Sequence, residues 1–192
     1  MRRLQPSSKG FTVVELLVVV AIMLILSGML LPVIMQARER ALQTVCASNQ
    51  RQIIAATLLY TQDNDYRFPI STPTNPGWTA SVSPYAADAS IWHCPAALSA
   101  KGISYSVNPR LMGVIAVGRF DDTRVVWSGD GFEDTTTGHV ASQFGLAQPT
   151  LRDAVGGIGF RHSETALFVH LDGHVRPVKR GENLTTLLSL SR

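Results

Sequence analysis

The longest run of apolar residues covers residues 11–31 and contains a single charged side chain, Glu15. A helix over this run, at about 1.5 Å per residue, reaches roughly 30 Å, which is the thickness of a bilayer's hydrocarbon core. Arg2, Arg3 and Lys9 precede the run without an acidic residue. Because basic residues stay on the cytoplasmic side, the pattern predicts a transmembrane helix with the rest of the chain outside the cytoplasm.

A second apolar pattern follows, and it has helical spacing. It predicts an amphipathic helical stalk over residues 32–64 that continues the membrane helix. Pro32 lacks an N–H and its ring clashes with the preceding turn, so a kink is expected there. The positions that form the stripe step by three, four and eight residues; they are Ile34, Leu42, Val45, Asn49, Ile53, Ala56 and Tyr60.

Residues 65–192 have the composition of a small globular head. Roughly 130 residues suffice for one domain with one core. Asp172 and Gly173 form a two-residue hairpin signal between alternating apolar residues. The predicted fold class is therefore α+β, with the long N-terminal helix packed on a small antiparallel sheet. The stretches with strand character are residues 104–108, 124–128, 167–171 and 175–178.

Glu15 is an anomaly, because a charge inside a membrane helix costs about 2.5–3.5 kcal/mol and marks a functional residue by default. This close to the membrane boundary, the carboxylate either extends to the headgroups or finds a cation. A new N-terminal amine four residues upstream on a neighbouring chain would supply that cation.

The segment Gly10-Phe11-Thr12-Val13-Val14-Glu15, followed by an apolar helix, resembles the class III signal of type IV prepilins and type II secretion pseudopilins. The resemblance implies that residues 1–10 are a leader removed by a prepilin peptidase. It implies cleavage between Gly10 and Phe11, N-methylation of Phe11, and pairing of Glu15 with a neighbour's amine during assembly. Many members of this family also have a kinking proline where Pro32 lies. The implied fold is pilin-like.

Further segments are similar to one subfamily of prepilin-like proteins. Residues 46–53 and 60–69 resemble its helix and the polar turn that follows. His162, Asp172 and Gly173 match its H-x9-D-G signature, which places the signature hairpin at residues 162–173 of the head.

The net charge of +3 would suit a protein that binds nucleic acid, but the leader contains three basic side chains. The remaining side chains sum to about zero, so the excess charge belongs to targeting and no nucleic-acid partner is expected. The expected partners are a prepilin peptidase, other pilin or pseudopilin subunits, and the inner membrane. An ordinary secretory signal peptide and an unprocessed signal anchor remain the alternatives.

Three groups of side chains have candidate chemistry. Cys46 and Cys94 are either a disulfide, which the extracytoplasmic location permits, or two buried thiols.

The histidines His162, His170 and His174, with Asp172, form a set that suits zinc, whereas turn formation and bracing are the simpler interpretation.

Asp130, Glu133 and Asp134 form an acidic stretch that suits calcium, although a solvated loop is the favoured interpretation. No cofactor is expected; calcium is the alternative.

The chain has no nucleophile elbow, P-loop or paired catalytic carboxylates in a recognisable context. We therefore expect a structural, non-enzymatic subunit of a type IV pilus or a type II secretion pseudopilus. Two other functions are considered. One is a minor pilin, adhesin or DNA-uptake subunit that binds a ligand through its head. The other is a membrane-anchored, metal-dependent enzyme that uses the three histidines.

Overall fold

The computed structural model describes residues 10–70, 77–97, 103–116, 122–131 and 158–182. The chain divides into two compact units, Met1–Arg38 and Glu39–Arg192. Its elements, in chain order, are α1 (Val13–Asp63), α2 (Trp78–Val82), two 3-10 turns (Ser83–Tyr85 and Ala89–Trp92), β1 (Tyr105–Val107), β2 (Val126–Asp130), β3 (Thr165–His170) and β4 (Val175–Lys179).

The first unit contains the apolar part of α1. Its large apolar side chains are exposed throughout. Within the described part of the chain, α1 is the one helix whose length and composition suit a membrane span, although an N-terminal signal sequence has the same properties. Pro32 lies inside α1. A kink at this proline stays a prediction.

The second unit contains a four-stranded sheet in the order β1-β2-β3-β4, with every neighbouring pair antiparallel. The predicted α+β class, a long helix followed by a small antiparallel sheet, is confirmed. A bulge interrupts the β2–β3 register between Val126 and Ser128. β2 continues through Gly129 and Asp130, two residues beyond the predicted strand stretch of residues 124–128. Glycine fits here because an added Cβ would overlap the Phe168 ring and lie 2.8 Å from the Leu167 carbonyl oxygen.

The main core lies between one side of α1 and the sheet. Three aromatic contacts organise it: Phe68 stacks on Trp127 at 5.0 Å, and Trp78 meets Trp92 and Trp127 edge-on at 5.4 and 6.0 Å. Each such pair contributes about 0.5–1.5 kcal/mol beyond the area that it buries. The buried α1 residues in this core are Cys46, Ile53, Ile54 and Ala56.

The β3–β4 hairpin turns at Asp172 and Gly173. Gly173 has φ +88°, and the Asp172 carboxylate accepts a hydrogen bond from the His174 backbone N–H at 3.0 Å. The turn closes with the Gly173 N–H donating to the His170 carbonyl at 3.0 Å. β4 is the last strand in the sheet order, which is where Pro177 is tolerated.

Candidate functional site

The N-terminus of α1 has the geometry of a capping box. The Glu15 Oε2 atom accepts hydrogen bonds from the Thr12 backbone N–H at 2.9 Å and from the Thr12 hydroxyl at 2.8 Å. The Glu15 N–H in turn approaches the Thr12 hydroxyl oxygen at 3.3 Å. Glu15 therefore has a local role that the sequence analysis missed, although the spacing Thr-x-x-Glu before an apolar run was a visible signal.

The peptide bond between Gly10 and Phe11 lies just before this cap, outside regular secondary structure. Phe11 is 76% exposed, and a Cβ added at Gly10 would meet no atom within 4 Å. Because no fold contact would change, a substitution at Gly10 tests recognition of this bond by a peptidase without disturbing the structure around it.

In the second unit, a disulfide joins Cys46 to Cys94 with 5.2 Å between the Cα atoms. It links α1 to the segment after the second 3-10 turn, and both cysteines are fully buried. A hydrogen bond from the Asn49 side-chain amide to the His93 carbonyl, at 3.0 Å, strengthens the same junction. The disulfide closes a long loop, so it is expected to be a major restraint on the unfolded chain.

Asp130 is fully buried at the end of β2, and it connects three elements. Its carboxylate accepts hydrogen bonds from the Leu167 N–H of β3 at 2.8 Å and from the Gln50 amide of α1 at 3.2 Å. The same Gln50 amide also donates to the Leu167 carbonyl at 3.1 Å. Burial raises the pKa of Asp130 to about 6, and the nearby Arg161 cation opposes that rise.

The prediction that Asp130 lies in a solvated acidic loop with Glu133 and Asp134 is therefore wrong. The structure places this residue inside a strand because the strand continues through Gly129, where β3 packs closely. Its carboxylate faces the core, where it accepts hydrogen bonds, and it is not part of a solvated loop. Glu133 and Asp134 lie outside the described residues.

His162 lies beside both Asp130 and the disulfide. Its Nε2 atom is 3.7 Å from the Cys94 Sγ atom and 3.7 Å from the Asp130 Oδ2 atom. Its Nδ1 atom is buried without a hydrogen-bond partner among the described residues. Burial, together with the Arg161 cation, lowers the pKa of His162 and favours the neutral ring.

His170 and His174 form a separate pair at the hairpin turn. Their rings stack with centroids 3.9 Å apart, and the His174 Nδ1 atom is 2.6 Å from the Asp172 carboxylate. Burial and the neighbouring His174 lower the pKa of His170 to about 4.

The alternative interpretation of His162, His170, Asp172 and His174 as a zinc set is contradicted, because these side chains do not come together in one group. Within the described ranges, the one group of three or more metal-ligating residues whose ligand atoms lie within 4.8 Å of one another is Cys46, Cys94 and His162. The physical reason is that His162 precedes β3 whereas His170 ends it. The five steps along this strand, at about 3.3 Å each, place His170 about 17 Å along the backbone from Thr165, the residue beside His162.

Comparison with known proteins points to the N-terminal segment. The family described as "Prokaryotic N-terminal methylation motif" matches residues 6–31, which include Gly10, Phe11 and Glu15. The N-terminal segment of the chain therefore resembles that of type IV prepilins.

The chain is also similar to the type IV wide pilus major component PilA4 of Thermus thermophilus. The two are 39% identical over 59 residues, which amount to 31% of this chain and 45% of that protein. The match thus spans less than half of the relative's length. No solved structure matches the chain. The assignment of the H-x9-D-G signature at His162, Asp172 and Gly173 stays a prediction.

Proposed function

We propose that this chain is a structural pilin-like subunit that a prepilin peptidase processes and that assembles into a type IV pilus or a type II secretion pseudopilus. The basic leader and the apolar helix insert the precursor into the inner membrane. The peptidase cuts between Gly10 and Phe11 and methylates the new amine. The head, which begins near residue 65, stays outside the cytoplasm and then covers the filament surface. Nothing in this role requires the chain to catalyse a reaction.

The observation that carries this proposal is the methylation motif over residues 6–31. It coincides with an exposed bond before Phe11 and with a helix whose apolar side chains have no partner within the described first unit. An apolar surface of this extent is costly in water and is covered either by lipid or by other subunits. The PilA4 relative, named as a pilus major component, supports the filament role.

Glu15 is suited to the assembly step even though it caps its own helix. Both hydrogen bonds from Thr12 go to the Oε2 atom. The Oε1 atom has no partner among the described residues, and it can accept a hydrogen bond from the methylated amine of a neighbouring Phe11. In lipid, an unpaired carboxylate and an unpaired ammonium group are each costly. Pairing the two groups neutralises both charges, so it favours transfer of the subunit from the bilayer into a helical bundle.

The proposal is tested by expressing the full chain together with a prepilin peptidase and determining the N-terminus of the membrane-bound product. We expect the wild type to begin at N-methylated Phe11. We expect Gly10→Val to keep its leader, because a branched side chain next to the cut blocks the peptidase without touching the fold.

Gly28→Ala is the matched control, because a Cβ at Gly28 also meets nothing within 4 Å. It should be processed like the wild type. Equal mature size for wild type and Gly10→Val would contradict the proposed processing.

A further inference from the structure

The buried centre around the disulfide contains two further side chains that could bind a metal ion and that the disulfide itself does not require. The Sγ atoms of Cys46 and Cys94 and a ring nitrogen of His162 all lie within 4.8 Å of one another. The Asp130 Oδ2 atom lies 3.7 Å from the His162 Nε2 atom. All four side chains are inaccessible to solvent, and they come from α1, β2 and the segments that precede β1 and β3.

His162 is poorly satisfied while the disulfide is closed. Within the described ranges, its Nδ1 atom has no hydrogen-bond partner, and its Nε2 atom lies 3.7 Å from Cys94 and from Asp130. A buried polar group left unpaired costs about 1–3 kcal/mol, so it calls for an explanation. A core that had only to hold a disulfide would be more stable with an apolar side chain at this position.

We propose that, when the disulfide is reduced, Cys46, Cys94 and His162 bind one divalent ion of the zinc class, with the Asp130 carboxylate as the fourth ligand. A dithiol supplies the two electrons: it becomes a disulfide, and the bond between Cys46 and Cys94 becomes two thiols. The ion then displaces one proton from each thiol and is bound by two thiolates, one imidazole nitrogen and one carboxylate oxygen.

The distances suit a tetrahedral ion. With Zn–S near 2.3 Å and Zn–N near 2.0 Å, a ligating sulfur and nitrogen lie about 3.6 Å apart, and a nitrogen and an oxygen about 3.4 Å apart. The corresponding distances from His162 Nε2 to Cys94 Sγ and Asp130 Oδ2 are both 3.7 Å. Two adjustments are needed: the sulfurs must separate to about 3.8 Å once their bond is broken, and the Asp130 carboxylate, which is not among the atoms that lie within 4.8 Å of one another, must approach them.

The charge of the filled site is also compensated. Two thiolates, one carboxylate and a divalent ion leave one negative charge. The Arg161 guanidinium, which acts electrostatically on both Asp130 and His162, supplies one positive charge. It is held close by hydrogen bonds to the Ser104 and Gly131 carbonyls. The ion and the disulfide are thus alternative ways of connecting α1 to the head.

The test uses the full chain in detergent micelles and Co²⁺ as a spectroscopic substitute for zinc. One sample keeps its disulfide; the other is reduced with dithiothreitol, which is then removed by anaerobic desalting. We expect the reduced protein to take up about one equivalent of Co²⁺ with thiolate-to-cobalt charge transfer and the visible bands of tetrahedral cobalt. We expect the oxidised protein to bind none. Absence of these bands from the reduced protein would overturn the proposal, whatever the variants do.

Variants then separate the assembled site from two thiols that bind an ion by themselves. His162→Gln should weaken Co²⁺ binding at least tenfold, whereas His174→Gln, at the hairpin turn, should bind like the wild type. The fold of each variant is checked by its ability to reform the disulfide.

Unchanged affinity in a correctly folded His162→Gln protein would also overturn the proposal. Should that variant not fold, Zn²⁺ but not Mg²⁺ must raise the melting temperature of the reduced wild type, since thiolate and imidazole ligands in the folded protein favour Zn²⁺. Equal melting temperatures in the two ions would count against the site.

Discussion

Replacing the buried Asp130 carboxylate should change how the stability of the head depends on pH. The pKa of Asp130 is raised from 3.8 to about 6 in the folded protein, mainly because the carboxylate is removed from water. The folded state therefore binds this proton more tightly than the unfolded state does. The resulting stabilisation is complete below pH 3.8 and is lost as the pH rises through about 6.

The magnitude follows from the shift. One pKa unit corresponds to 1.36 kcal/mol, so a rise from 3.8 to about 6 corresponds to about 3 kcal/mol in the free energy of unfolding. The buried histidines act in the opposite direction, because the lowered pKa values of His162 and His170 reduce stability as the pH falls. The wild type alone would show a mixture of these effects. The difference between wild type and Asp130→Asn removes the part due to His170, which lies at the other end of β3.

We therefore expect the stability advantage of the wild type over Asp130→Asn to grow by about 3 kcal/mol between pH 7 and pH 3.5. The measurement is urea unfolding of the oxidised full chain in mild detergent, followed by tryptophan fluorescence. Trp78, Trp92 and Trp127 all contribute to the core of the head, so this signal reports the head itself.

Asp88→Asn is the control, because Asp88 is exposed, its pKa is lowered by a hydrogen bond from the Ser90 N–H, and asparagine caps a helix equally well. Because the folded-state pKa of Asp88 is lowered, the wild type's advantage over this variant should shrink, not grow, as the pH falls. A pH-independent difference for Asp130→Asn would refute the reasoning, since it would mean that Asp130 titrates at its ordinary pKa.

Three other predictions concern the disulfide, the helix cap and the sheet. Replacing Cys46 and Cys94 by serine should lower the free energy of unfolding by about 4 kcal/mol, the loop-closure value for a sequence separation of 48, read from the urea midpoint against oxidised wild type. Glu15→Ala should be processed but should not appear in sheared filaments. Thr12→Val, which removes only the capping hydroxyl, should still assemble. An equal loss of filament assembly in both variants would indicate that helix capping matters instead. Gly129→Ala should destabilise the head by about 1–3 kcal/mol, because its methyl group would overlap the Phe168 ring of β3, and an unchanged melting temperature would contradict that close approach.

The sequence predicted the elements whose signals are local. The end of α1 at Asp63 agrees with the predicted stalk, because the apolar stripe stops there and a polar turn follows. The β3–β4 hairpin was predictable from Asp172 and Gly173, since few residues other than glycine adopt the positive φ that the turn requires.

The buried centre was not predictable in the same way. Its residues are far apart in the sequence, and their proximity depends on how α1 packs against the sheet. Gly129 and Asp130 look like a turn because both residue types favour turns. They form the end of a strand instead, because β3 packs over the glycine and because Gln50 and the Leu167 N–H satisfy the carboxylate. These are tertiary contacts, which a local pattern does not contain.

The zinc interpretation of the histidines failed for a related reason. Closeness in sequence suggested one cluster, but a strand separates His162 from His170. The partners of His162 are Cys94 and Asp130, which lie much earlier in the chain.

The intact mass and N-terminal sequence of the chain, isolated from membranes that contain a prepilin peptidase, test the central claim most directly. The account predicts a single mature species that lacks residues 1–10, begins at Phe11 and has one methyl group on its amine. A product that retains Met1, or one that begins at any residue other than Phe11, would contradict it.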